Sequence, residues 1–530
     1  MQIKKLPYSK VPNFSARDKA YVEESPALRP FYKYPVKLEA FPDVIADKQK
    51  DRVDRETLVE VLQRQYSGLE VPQIVSDNIE KLRNENTFTI ITAHQPSLFT
   101  GPLYYVFKII SAINLAKKLK ANYPEFEFIP VFISSGEDHD FAEVNHLHLF
   151  NQTLTWESGQ TGPVGHMDTS SLAGVLERLG SVLGESENAK HINNLIQKTH
   201  TDKVNYARAA YELAVELFKK EGLVVLNTND PALKRLFIPA IKEEIFHEVS
   251  RPLVEATFVE LEKAGFPAQA MPRDINFFYI KDNVRERIVY ENEKYTVLNT
   301  DLRFTKEELE TEIDRYPEHF SPNVVMRPIY QEMILPNLAY VGGGGEIAYW
   351  LERKSQFAHF GINFPMLVRR DSAMWIDAGS LKKMGKANLE IKDLWKDTDR
   401  LIKEYVVENG EVEISLEDEK ATLKAMYEQL AQKAKTINQS LEKLVLAEHA
   451  KANKSIDQIE TRLLRAEKQN HENTIKQIRT LKEKLFPHGG LQERYDNFLP
   501  YYLKYGDEFF ETLKMHFDPM DKQFKIFIES

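Results

Sequence analysis

The chain has 530 residues, 42% of them apolar and 11% aromatic, which excludes intrinsic disorder and calls for more than one compact lobe. Its 80 acidic and 70 basic residues leave a formal charge of −10, too mildly acidic to indicate a surface that coats nucleic acid. Cysteine is absent, which excludes disulfides, thiolate metal sites and a cysteine nucleophile together.

The opening stretch MQIKKLPYSKVPNFSARDKAY lacks the apolar run of a signal peptide, and no segment approaches the roughly 18 apolar residues of a membrane helix. A cytoplasmic protein with no membrane partner is the expectation. TFTIIT (Thr87–Thr92) predicts a buried strand, followed by a polar turn and a helix from near Pro102. Thr100 suits the N-cap and Pro102 the first turn, so Thr100 and Gly101 are expected to offer backbone N–H groups to an anion, with Lys108 within two turns. FEFIPVFIS (Phe126–Ser134) predicts a second strand that runs into an acidic turn. The segment from about 147 to 203 is weakly patterned and reads as an insertion. GLVVLNT (Gly222–Thr228) predicts a third strand, with Asp230 capping a helix that starts at Pro231. Alternating polar and apolar residues mark a β-rich insertion at about 270–320. LAYVGGGG and FPMLVRR complete the strands. Apolar strands alternating with helices imply an α/β, Rossmann-like doubly wound core, whose ligands sit beyond the C-terminal strand ends.

From about 381 to 487 the composition shifts to Lys, Glu, Gln, Leu and Ala. Leu423, Met426, Leu430, Ala434, Ile437, Leu441 and Leu444 keep a helical seam that Ile456, Ile459 and Leu463 continue and Ile475, Ile478, Leu481 and Leu485 resume. This predicts an α-helical coiled-coil domain, closed either on itself or on a second subunit. The core is then expected over 1–380, and residues 488–530 are expected to return to it.

Three stretches could carry chemistry. In SSGEDHDFAEVNHLHLF, Glu137, Asp138, His139, Asp140, Glu143, His146 and His148 crowd together directly after a strand. Such a cluster could supply a general base, bind an amine or hydroxyls, or ligate a metal. The metal reading lacks an H-E-x-x-H motif. In YVGGGGEIAYW, Gly342, Gly343, Gly344 and Gly345 let backbone approach a ligand, while Glu346 suits a helix start or a substrate ammonium. Neither a Walker loop nor the dinucleotide fingerprint is present. Arg327 and the Arg369-Arg370 pair are candidate clamps for carboxylate or phosphate.

Four blocks, TAHQPSLFTGPLYYVFKIISAINLAKKL, PVFISSGEDHDFAEVNH, SPNVVMRPIYQEMILPNLAYVGGGGEIAYW and GLQERYDNFLPYYLKYG, resemble those of the bacillithiol biosynthesis cysteine-adding enzymes. The chain departs from that pattern at Ala93-His94, where the family often has Gly-Gln, at Gly344 for Pro and at Ile133 for Trp. The resemblance implies a Rossmann-like core with two connecting insertions and a coiled coil that makes a homodimer. It also implies a ligase that joins the cysteine carboxylate to the amine of glucosaminyl malate. A carboxylate needs activation before it acylates an amine, so ATP is expected as co-substrate, with Mg²⁺ as a candidate companion ion. Thr100, Gly101, Lys108 and Gly342–Gly345 are then the candidate nucleotide-binding residues. His94, Gln95, Asn145, His146, Arg327, Glu346 and Arg369 are the candidates for holding substrate. Asp138, His139 or Asp140 could take the amine's proton, and Glu137 or Glu346 could hold an ammonium. Two alternatives compete: a metal-dependent hydrolase built on the 137–148 cluster, and a non-catalytic nucleotide-binding coiled-coil scaffold.

Overall fold

Five apolar runs become the strands of one sheet: β1 (Thr87–His94), β2 (Glu127–Ser134), β3 (Val224–Leu226), β4 (Asn337–Gly342) and β5 (Met366–Arg369). They are seen in a computed structural model that describes residues 1–410 and 415–529. Every residue of β3, β4 and β5 is buried, as in a sheet covered on both faces. All four pairings are parallel, in the order β5-β4-β1-β2-β3. The chain starts at the middle of the sheet, steps outward through β2 and β3, then returns to lay β4 and β5 on the other side. The strand order therefore reverses between β1 and β4, and a crevice opens there at the C-terminal ends.

The covering helices follow local rules. α1 (Tyr104–Asn122) links β1 to β2 and buries Tyr105, Val106, Ile109, Ile110 and Ile113. α2 (Pro231–His247) follows β3, with the Asp230 carboxylate accepting from the Ala232 amide at 2.9 Å and proline in the first turn. α3 (Gly344–Trp350) follows β4.

Between β2 and β3 stand an antiparallel hairpin, His146–Leu149 with Gln152–Thr155, and the helices Ala173–Leu183, Glu187–His200 and Tyr206–Phe218. The second insertion is a five-stranded antiparallel sheet between Phe277 and Pro322. Its helix, Lys306–Arg315, opens on a reciprocal Thr305/Glu308 capping box.

Compact packing divides the chain into Lys5–Ala373 with Glu493–Lys525, and a helical unit of Met374–Gln492 joined by residues 1–4 and 526 onward. Within the helical unit, α4 (Glu417–Ile437) and α5 (Gln439–Asn470) fold back on each other at Asn438, and α6 (Glu472–Leu485) follows. Lys420 bridges the hairpin to Asp457 at 2.9 Å and Glu460 at 2.7 Å. Leu401, Ile402, Val406 and Ile478 form a buried centre. The expected seam splits: Ile478, Leu481 and Leu485 are buried, whereas Met426, Leu430, Ile437, Leu444, Ile459 and Leu463 stay exposed. Of the stretch assigned to the coiled coil, residues 411–414 lie outside those described. Among the described residues, no helix is long and apolar enough to cross a membrane.

Candidate active site

A cavity of about 520 Å³ sits at the crevice between β1 and β4. The C-terminal ends of all five strands line it: His94 at the end of β1 and Gln95 beyond it, Glu137 and Asp138 after β2, Thr228 after β3, Gly343 and Glu346 after β4, and Arg370 after β5. Lys108, Arg285, Arg327 and Arg494 also face it, as do Glu143, Tyr104 and Tyr349. Its wall therefore carries five cations and four carboxylates.

The β1–β4 side is built on an ion pair. Lys108, buried on α1, donates to the Ala93 carbonyl at 2.6 Å and reaches Glu346 Oε2 at 2.8 Å. Glu346 also accepts from the Tyr340 hydroxyl at 2.6 Å and the Gly343 amide at 2.9 Å. Burial alone would raise the Glu346 carboxyl, but Lys108 and these donors outweigh it and hold it at about 2. Arg327 donates to the Tyr349 hydroxyl at 2.5 Å and to Gln331 at 3.1 Å, and its guanidinium lies over the Tyr340 and Tyr349 rings. His94 sits edge-on to Tyr104 and Tyr105. Burial, then the Lys108 charge, pushes its imidazole down to about 3, so the ring is neutral at physiological pH.

The acidic turn after β2 does not act as one cluster. Glu137 turns inward to Lys234 at 2.5 Å, a buried α2 side chain that also donates to the Phe320 carbonyl. Asp138 accepts from Gln95 Nε2 at 2.6 Å and from Arg285 Nη1 at 3.3 Å. His139 lies outside the cavity wall, with Nδ1 2.7 Å from Arg285 Nη1. A guanidinium has only donors, so Nδ1 must accept, which leaves the ring proton on Nε2. Asp140 is exposed and absent from the wall. Asn145 and His146 are also outside it. Asn145 pairs with the backbone of Trp156, and the His146 ring meets His148 on the hairpin. Among the described residues no three His, Asp or Glu side chains converge as a metal site. The hydrolase alternative therefore has no ligand set there.

The turn after β1 differs from the expected anion nest. Phe99, Thr100 and Gly101 all have positive φ, and an added Cβ at Gly101 would lie 2.8 Å from Ser97 Cβ. The Thr100 and Gly101 amides are already spent on the Ser97 and Leu98 carbonyls at 3.1 and 2.9 Å. α1 begins only at Tyr104, without a side-chain cap, so Thr100 is not its N-cap. Asn497, from the C-terminal segment, clamps the turn by donating to the Phe99 and Gly101 carbonyls at 3.0 and 2.6 Å.

The glycine run is also divided. Gly343 and Gly345 line the cavity. Gly342 closes β4 and accepts from the Arg370 amide at 2.9 Å, while a Cβ at Gly344 would collide with the Asp18 carboxylate. Arg369 points away from the cavity and is held by Asp18 at 3.0 Å. Its neighbour Arg370 faces the cavity instead. Arg370 is anchored to Glu493 at 2.7 Å, its Nε is buried without a partner, and it lies 5.4 Å from the centre of the Tyr104 ring, which Arg494 also approaches.

Sequence reasoning missed Arg285 and Lys234 altogether. It named Arg370 only as half of the clamp pair and Glu143 only as one of the acidic cluster, and left Tyr349 and Arg494 inside quoted stretches without roles. Arg285 sits in an alternating strand where a charge reads as solvent-facing. Arg370 is separated from Arg369 only by the β-strand alternation that sends neighbours to opposite sides.

Comparison with known proteins agrees with this architecture. Residues 1–371 match the family model "Bacillithiol biosynthesis BshC, N-terminal Rossmann-like domain", and residues 373–529 match "Bacillithiol biosynthesis BshC, C-terminal coiled-coil domain". The chain is similar to a protein of Flavobacterium psychrophilum, 40% identical over 98% of both chains. It is also similar to one of Flavobacterium johnsoniae, 40% identical over 97% of both, and each is named "Putative cysteine ligase BshC". The chain thus belongs to the bacillithiol biosynthesis BshC family.

Proposed function

We propose that this chain is an amide-forming ligase that joins the carboxylate of cysteine to the amine of glucosaminyl malate, with ATP as co-substrate. One observation carries the reading: the cavity at the strand-order reversal has a cationic excess. Its five wall cations, backed by buried Lys234, face four carboxylates, which suits anionic substrates. The printed names of the relatives point to the same class of reaction.

ATP supplies the leaving group that a free carboxylate lacks, and Mg²⁺ would accompany its phosphates. Arg370 and Arg494 hold anionic groups beside Tyr104, where the unpartnered Arg370 Nε fits an added acceptor and Gly343 and Gly345 leave room for approach. Lys108 keeps Glu346 ionised, and the pair fixes charge at the floor of the crevice. Asp138, oriented by Gln95 and Arg285, presents negative charge to the substrate ammonium. The exposed apolar seam of α4 and α5 suits a homodimer made through the coiled coil.

Mass spectrometry of the purified protein with ATP, cysteine and glucosaminyl malate tests the reading. A product at the condensation mass, lost when ATP or protein is omitted, is expected. Folded protein that yields none would overturn it.

A further inference from the structure

Among the four carboxylates of the cavity wall, three are committed to fixed partners. Glu137 is paired with Lys234, Asp138 is bonded to Gln95 and Arg285, and Glu346 to Lys108, Tyr340 and the Gly343 amide. The Glu143 carboxylate has no hydrogen-bond or ion-pair partner among the described residues, although it faces the same cavity. Its backbone is nevertheless held in place. Glu143 belongs to the single helical turn Phe141–Val144, whose Val144 is buried, and the Phe141 ring packs on buried Trp156 at 5.0 Å. The Trp156 amide donates to the Asn145 carbonyl at 2.7 Å, which fastens the end of the turn. A free carboxylate on a fixed backbone, exposed at the side of a reaction cavity, can take a proton and pass it to solvent.

Resting on the ligase reading, we propose that Glu143 is the general base of amide formation. As the nitrogen lone pair attacks the activated carboxyl carbon, a C–N bond forms and the bond from that carbon to the leaving oxygen breaks. The leaving group departs with the electron pair. Glu143 takes one N–H proton from the attacking nitrogen, becomes a neutral acid, and then releases the proton to water.

His139 and Asp140 are off the wall, and the His139 nitrogen that could accept a proton is occupied by Arg285. Partial burial, then the negative charges of Asp140 and Asp138, raises the Glu143 carboxyl above the ordinary glutamate range. A raised carboxyl pKa lies closer to that of the amine, which favours general-base transfer.

The test compares wild type with Glu143→Gln and Glu143→Asp across pH. Glu143→Gln is expected to cut kcat about 100-fold or more and to weaken binding of the amine substrate, and Glu143→Asp to restore part of the rate. The wild-type rate should be present above the Glu143 pKa and fall as pH drops through it, and Glu143→Gln should lose that limb. Retention of kcat and limb in Glu143→Gln would overturn the assignment.

Calorimetric titration with glucosamine, against N-acetylglucosamine as control, separates the two proposals. If wild type makes no amide, the ligase reading fails on its own account. Glu143→Gln binding glucosamine as tightly as wild type then overturns the amine contact, whereas selective loss of glucosamine binding supports it.

Discussion

Lys108 and Glu346 show how a charge survives inside the fold. Each is costly to bury, and the geometry offsets that cost by giving Glu346 three donors and Lys108 two acceptors. Lys108→Met strands the carboxylate and is expected to lower stability by about 3–5 kcal/mol in chemical denaturation, with part recovered on adding Glu346→Gln. Because the folded Glu346 pKa lies at about 2, below its ordinary 4.5, the pair's contribution is complete above pH 4.5 and lost as pH falls toward 2. Glu346→Gln should lack that component of acid destabilisation. A Lys108→Met protein as stable as wild type would refute the coupling. At this scale the sequence was only partly legible. The density of acids and histidines after β2 drew attention to Glu137 and Asp138. Nothing local marks Arg285, which lies 146 residues beyond His139 yet touches it.

Elements were more legible than side chains, because strands and helices follow periodicity while contacts follow topology. The five apolar runs and the Asp230-Pro231 helix start were readable from burial pattern and capping chemistry. The turn after β1 was not, since an ordinary capped helix and three consecutive left-handed residues clamped by Asn497 use similar residue types. In the helical unit the 3–4 spacing was plain, but spacing alone does not say which apolar residues the α4–α5 hairpin covers. Leu444 and Ile459 stand 57% and 52% open, and the proposed homodimer would cover them. Leu444→Glu with Ile459→Glu is expected to shift sedimentation from dimer to monomer while helical circular dichroism is retained. Dimers that persist, or a wild type that sediments as a monomer, would contradict a coiled-coil homodimer.

At the scale of the molecule, the sheet order places ends of the chain distant in sequence around one crevice. β1 and β4 become neighbours although a large insertion-bearing stretch separates them, and the C-terminal segment supplies Arg494 and the Glu493 anchor of Arg370. The alternation of strands and helices foretold a cavity at strand ends, but not which charges would meet there, because that depends on strand order. On the proposed function, this cavity activates a carboxylate for attack by an amine. Cysteine labelled with ¹⁸O in both carboxylate oxygens tests it at the bond that breaks. One ¹⁸O is expected in the amide and the other in a phosphorus-containing product, AMP or inorganic phosphate. Amide formed with no ¹⁸O on phosphorus would contradict activation by ATP.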